Sequence, residues 1–315
     1  MKSVSARLIL VVAAGLCVGQ VLRAQTYLRG QNVSPAFEGW EEDPDGTRYF
    51  VFGYMNRNWD EELDVPVGLE NTIEPGGPDL GQPTHFLPRR NRFAFRVPVP
   101  KGFGEKDEMT WTLTTRGKTE KAFATLATDY RVDAMVRASE TGALGAGTSS
   151  PEVRANKAPT LKIDGAKQRT VRVGQPLPLV AWATDDGVPK PRRSDEARVR
   201  ARTDLPVGAP PPRNPAYVPP RQSTVGSETG LRLSWFVFRG QGHVAFDPPQ
   251  VKVWEDTRAG ANSPWAALWR TPPPPPENKW STTVTFDKPG TYVLKVRASD
   301  GAADTDDMIT VEVAP

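Results

Sequence analysis

Cysteine is almost absent from this chain. Its single copy, Cys17, lies in an apolar run near the N-terminus, so everything beyond it is without disulfides, thiolate metal ligands and thiol nucleophiles. Histidine is nearly as scarce. His85 and His243 are the only two, they are expected in different domains, and neither stands in a His-x-x-x-His metal spacing. There is no Gly-x-Ser-x-Gly elbow, no glycine-rich loop opening a helix, and no long amphipathic helical pattern. The adjacent pairs Glu41/Glu42 and Glu61/Glu62 point to opposite faces of a strand and make poor acid–base partners. With so few groups for acid–base or nucleophilic chemistry, no catalytic residue is assigned and the chain is expected not to be an enzyme.

Long hydrophobic runs are missing too. Leu8 to Val18 is too short to span a bilayer, and no later run is long or apolar enough. With Lys2 and Arg7 before it and Leu22-Arg23-Ala24 after it, residues 1–24 read as a secretory signal peptide cut before Gln25. A lipid anchor is not expected, because Leu16 precedes Cys17 and apolar Val18 follows it. The protein is therefore expected outside the cytoplasm, periplasmic or secreted. Net charge is lacking as well: without Lys2, Arg7 and Arg23 the count is 37 basic against 37 acidic residues. That balance gives no electrostatic footprint for nucleic acid.

What the chain has is proline (32), glycine (27) and tryptophan (nine), the composition of many turns and short strands around aromatic cores. Residues 25–133 read as an N-terminal β-sandwich. Its strands fall at Phe37–Glu41, Thr47–Asn56, Glu61–Val67, Arg92–Val99, Met109–Thr114 and Thr119–Leu126, with a long connection from Asn71 to Gln82. In Met109–Thr114, Met109, Trp111 and Leu113 point inward and the threonines outward. Residues 134–157 read as a linker, flexible because Ala138 to Ser150 is built largely of Ala, Gly, Ser and Thr. Residues 158–315 read as a second sandwich with strands at 160–163, 170–173, 177–184, 231–239, 251–255, 280–286, 291–299 and 308–313. The fold class is thus all-β, two antiparallel sandwiches in series. Residues 189–222 interrupt the second with nine prolines and eight Arg/Lys against three acids. That composition builds no core and should be mobile or extended.

The second domain resembles immunoglobulin-like domains of the polycystic-kidney and cadherin-like kind. The resemblance rests on Asn156-Lys157-Ala158-Pro159 at its entry, Trp235 in an alternating strand, Asp287-x-x-Gly290-x-Tyr292, and Asp-Gly loops. It implies a tyrosine corner at Tyr292, a core role for Trp235, and a B–C connection that carries the insertion. Strings such as Phe52-Gly53-Tyr54-Met55-Asn56-Arg57-Asn58 resemble a group of exported bacterial proteins, which implies no activity.

Two sets of side chains are candidate sites. In an immunoglobulin topology the loops holding Asp185, Asp186, Asp300, Asp304, Asp306 and Asp307 lie at one end, where carboxylates suit calcium; turn formation and pairing with the Arg-rich insertion compete with that reading. Trp265 and Trp269, beside Pro272–Pro276, suit stacking on a sugar ring or a partner, against plain core packing. The expectation is a non-enzymatic binding or structural protein acting through its loops on an envelope protein or extracellular polymer. The alternatives are a carbohydrate-binding protein using exposed tryptophans and an extracytoplasmic enzyme. Beyond a possible calcium ion, no cofactor is expected.

Overall fold

The computed structural model describes residues 28–140, 151–191, 229–254 and 271–315. The leader, the middle of the 134–157 segment, most of the proline-rich insertion, and Trp265 and Trp269 lie outside the described residues.

The first sandwich packs two antiparallel three-stranded sheets. One joins β1 (Val33–Glu42), β2 (Arg48–Asn56) and β6 (Arg89–Pro98), and the other β4 (Asn71–Glu74), β7 (Met109–Thr115) and β8 (Lys118–Ala124). A short pair, β3 (Leu63–Asp64) and β5 (His85–Phe86), closes one end. The period of two places Met109, Trp111 and Leu113 at full burial while Thr110, Thr112 and Thr114 stay half-exposed. Phe52, Phe95 and Trp111 meet at centroid distances of 5.0–5.8 Å, two of the three contacts edge-to-face, the arrangement ring quadrupoles favour.

Two strand expectations are corrected here. Glu61–Val67 contributes only the two residues of β3, and the supposed connection from Asn71 to Gln82 contains β4. Ile73 is wholly buried, and Asn71 uses its side chain as a tie. Its amide donates to the Val65 and Pro83 carbonyls and its oxygen accepts from Trp111 Nε1. A polar residue that satisfies loop backbone in the core looks like loop in the sequence.

In the second sandwich, β9 (Thr160–Ile163), β11 (Leu177–Thr184), β14 (Lys279–Phe286) and β13 (Val244–Asp247) form one sheet in the order β13-β14-β11-β9. The other runs β10-β16-β15-β12, from β10 (Gln168–Arg172), β12 (Arg232–Arg239), β15 (Gly290–Ser299) and β16 (Asp304–Ala314), with β10 parallel to β16. These are the ABED and CFG sheets of an immunoglobulin-type sandwich with a split first strand. The proline-rich insertion lies between β11 and β12, the B–C connection. The strand expected at 251–255 is not formed over the described residues 251–254. The fourth strand of that sheet is β13, and Pro248-Pro249, which lack amide donors, stop its ladder.

Tyr292 makes the expected corner. Its hydroxyl donates to the carbonyls of Lys288 (3.0 Å) and Gln241 (2.5 Å), and its ring covers Gly240. A Cβ on Gly240 would lie 2.3 Å from that ring, and its φ of +146° favours glycine independently. Trp235 and Leu294 are core residues. The segment expected to be a flexible linker carries a short helix at each described end, α1 (Ala134–Glu140) and α2 (Pro151–Ala155). Asp133 caps the first through the amides of Met135 and Val136. Ala138, Val153 and Ala302 pack together, so the two helices fold back onto the loop before β16.

Candidate functional site

The two sandwiches share a core. On β12, Leu233, Trp235 and Val237 face the second sandwich, but Phe238, on the opposite face, belongs to the hydrophobic cluster of the first. The backbone amide of Thr84 donates to the Phe238 carbonyl (3.2 Å). The Gly240 amide donates to Thr84 Oγ1 (3.2 Å) and the Gly242 amide to Asp64 Oδ2 (3.1 Å). Arg239 donates to the Gln82 carbonyl and forks onto both oxygens of Asp79 at 2.7 and 3.0 Å. The C-terminal end of edge strand β12 is thereby covered.

The polar face of β15 lies under the first domain instead of solvent. Lys295 is 5% exposed, and burial lowers its pKa. Its ammonium donates to the Ala94 carbonyl (2.7 Å), pairs with Asp306 (3.0 Å) and sits over the Phe238 ring at 4.7 Å. Arg297 holds Asp306 through two parallel bonds of 2.7 and 2.9 Å. Burial opposes ionisation of Asp306, but Arg297 and Lys295 overcome it and keep the carboxyl well below the usual range.

His85 lies within the first sandwich and braces Asp64, the carboxylate that accepts the Gly242 amide of the second. It is 4% exposed, with Nδ1 2.7 Å from Asp64 and Nε2 3.1 Å from Glu62. Burial works against its charge, but the bonds to Asp64 and Glu62 prevail and hold the pKa up at about 9. Burial works to raise the Glu62 carboxyl, but the bond and charge of His85 outweigh it and leave its pKa lowered. An imidazole with both nitrogens bonded to carboxylates has no lone pair to offer a substrate. The other acidic pairs are occupied too. Glu41 binds Arg96 and Arg137, and Glu61 accepts from the Gly30 amide and pairs with Arg116.

Beside this junction runs a cleft of about 1310 Å³, walled by β6 and the start of α1 on one side and by β15 and β16 on the other. β6 bulges there. Its pairing with β2 shifts between Phe52 and Tyr54, and Phe93 adopts φ +48°, an outlier for a bulky side chain. The bulge turns the Phe93 ring out against Val51 and Val132, 4.6 Å below the Arg137 guanidinium. It also aims the Ala94 carbonyl at Lys295.

The six aspartates do not form one group. Asp304 and Asp306 face Arg297 in the cleft wall, and Asp307 pairs with Lys167. Asp186 accepts from the Lys157 and Val188 amides. Asp300 is fully buried. It accepts from the amides of Ala302 (2.6 Å) and Ala303 (2.7 Å) and from Asn156 Nδ2 (3.0 Å), and burial raises its pKa to about 6. Asp185 lies close enough for its charge to raise Asp300 further. Among the described residues Asp185 Oδ1 and Asn156 Oδ1, both buried, find no hydrogen-bond partner. Among the described residues no group of three or more His, Cys, Asp or Glu side chains is arranged to hold a metal ion.

Phe238, Lys295 and the β6 bulge are not among the site residues expected from the sequence. Phe236 and Phe238 did carry a signal, since they make the second face of β12 apolar, as in a strand buried on both sides. No helix among the described residues is long and apolar enough to cross a membrane.

No family model and no curated relative matches the chain. Solved structures aligned with it include domains 4 and 5 of the S-layer protein SbsC, at 9% identity, 90% of this chain, 98% of that one and a TM-score of 0.22. The D00-D0 domain of intimin aligns at 10% identity over 89% and 99%, with a TM-score of 0.22. The fibronectin(III)-like modules of CbhA from Clostridium thermocellum align at 8% over 90% and 94%, with a TM-score of 0.21. TM-scores near 0.2 are too low for any of these likenesses to bear on fold or function.

Proposed function

We propose that this is a non-enzymatic, extracytoplasmic binding or structural protein whose ligand surface is the cleft between its two sandwiches. The observation that carries the reading is the shared core. Phe238, Lys295 and Arg239, with the amides of Gly240 and Gly242, fix one sandwich against the other, so the cleft exists before any ligand arrives. A preformed surface spends little free energy on ordering when it binds. The leader pattern of residues 1–24 supports an address outside the cytoplasm. An envelope protein or extracellular polymer is the partner class.

The test uses the mature chain and a variant with the cleft filled by Ala134→Trp and Met308→Trp, two exposed lining positions. Both are incubated with purified bacterial cell-wall and envelope polysaccharide fractions. Retention of the natural chain and at least a tenfold loss in the filled variant is the expected result. Equal retention of the two removes the cleft from the reading.

A second reading rests on the unpartnered oxygens of Asp185 and Asn156 beside Asp300, a hard-oxygen set of the kind calcium uses. Calcium there would stiffen the loop end of the second sandwich. An ion at 100 times its dissociation constant adds about 2.7 kcal/mol to the native state. The unfolding temperature should then rise by several degrees with calcium over chelator, and Asp300→Asn should abolish the rise. No rise in the natural chain ends this reading.

A further inference from the structure

From the chemistry of the same cleft we infer that its ligand is a segment of a neutral, hydroxyl-rich polysaccharide; the inference rests on the cleft being the ligand surface. Among the described residues the lining has six carboxylates against five cationic side chains. A polyanion gains no net field from such a balance, which sets aside nucleic acid and uronate-rich or sulfated glycans.

The charges are also fixed in advance. Arg96 pairs with Glu41 and Asp43, Arg137 with Glu41, and Arg297 with Asp304 and Asp306. Carboxylate–guanidinium pairs already held in place, one of them the two-oxygen fork of Arg297 on Asp306, lose little freedom when a ligand arrives. A hydroxyl group donates and accepts at once, so it bridges a carboxylate and a guanidinium without leaving either unpaired.

A protein partner anchors through apolar side chains seated in pockets. Here the wall aromatics Phe93, Phe95 and Phe238 are 8%, 6% and 6% exposed, and among the described residues Met308, at 43%, is the one exposed large apolar side chain of the lining. At about 1310 Å³ the cleft exceeds the range of roughly 300–1,000 Å³ usual for small-molecule pockets, which suits several linked sugar units. The backbone at Phe93 supplies a separate pointer. A bulky residue held at φ +48° is a strained conformation of the kind that gathers at ligand sites, and here it seats the ring that carries Arg137 on the cleft wall.

The experiment arrays neutral hexasaccharides of the β-1,4-glucan, β-1,3-glucan, xylan and mannan types beside hexagalacturonate and a sulfated hexasaccharide. It probes them with the mature chain and with the Ala134→Trp/Met308→Trp variant, whose unfolding temperature is checked first. The expected result is that at least one neutral hexasaccharide binds tenfold or more above both charged probes, and that filling the cleft lowers the signal at least tenfold. Binding of charged probes alone, lost in the filled variant, overturns the neutral class and leaves the cleft reading standing. Binding that survives filling, as a platform at Trp265 and Trp269 would give, overturns both. No binding to any probe overturns the inference, and the cleft reading then stands or falls on retention by envelope fractions.

Discussion

At the scale of single residues, the chain uses buried polar groups as ties. His85 is charged because two carboxylates face it across a site that excludes water. Its pKa near 9 in the fold, against about 6.5 unfolded, means its stabilisation is fully present below about pH 6.5 and is lost as pH rises through 9. The size is roughly 3 kcal/mol. Urea unfolding at pH 6 and pH 9.5 should show a fall of that order in the natural chain and a much smaller one in His85→Gln; equal falls would refute the assignment. Asp300 runs the other way. Burial raises its pKa to about 6, so ionisation costs stability progressively as pH rises from about 4 through 6. Asp300→Asn should therefore unfold at an equal or higher temperature at pH 7.5 in chelator, with the Asn156 amide reversing to present its unpartnered oxygen. A loss of several degrees there would contradict this.

At the scale of elements, β12 and the turn after it organise the molecule. The Tyr292 hydroxyl ties that turn to the start of β15. Tyr292→Phe, which removes the hydroxyl alone, should cost about 1 kcal/mol in denaturant unfolding. Gly240→Ala should cost more, because its Cβ meets the tyrosine ring at 2.3 Å; a neutral outcome would mean the turn is not held as described.

How far the elements were legible follows from what each strand faces. Alternation with one wet face, as in β7, β14 and β16, is what a half-buried strand writes into a sequence. The tyrosine corner was legible because a fixed pattern carries it. The faces of β12 and β15 that meet the first domain were not. Lys295 and Arg297 look like solvent residues until a second body covers them, and covalent order does not say which strand that body will cover. The candidate site suffered for the same reason. Four of the six aspartates, Asp300, Asp304, Asp306 and Asp307, share a stretch of sequence with Arg297 and Lys295, and pairing across strands sent Asp304 and Asp306 to the cleft wall. Asp185 and Asp300 alone were left near each other at the loop end.

At the scale of the whole molecule, the account holds that two sandwiches behave as one body and so present a fixed cleft. The most direct measurement is calorimetric unfolding of the mature chain and of Phe238→Ala. The account predicts one transition whose calorimetric and van't Hoff enthalpies agree. It also predicts that Phe238→Ala, at a cost of about 3–5 kcal/mol, lowers and splits that transition as the first sandwich loses its borrowed core residue. Two separate transitions in the natural chain, with the substitution moving one and leaving the other in place, would contradict the shared core and with it the preformed cleft.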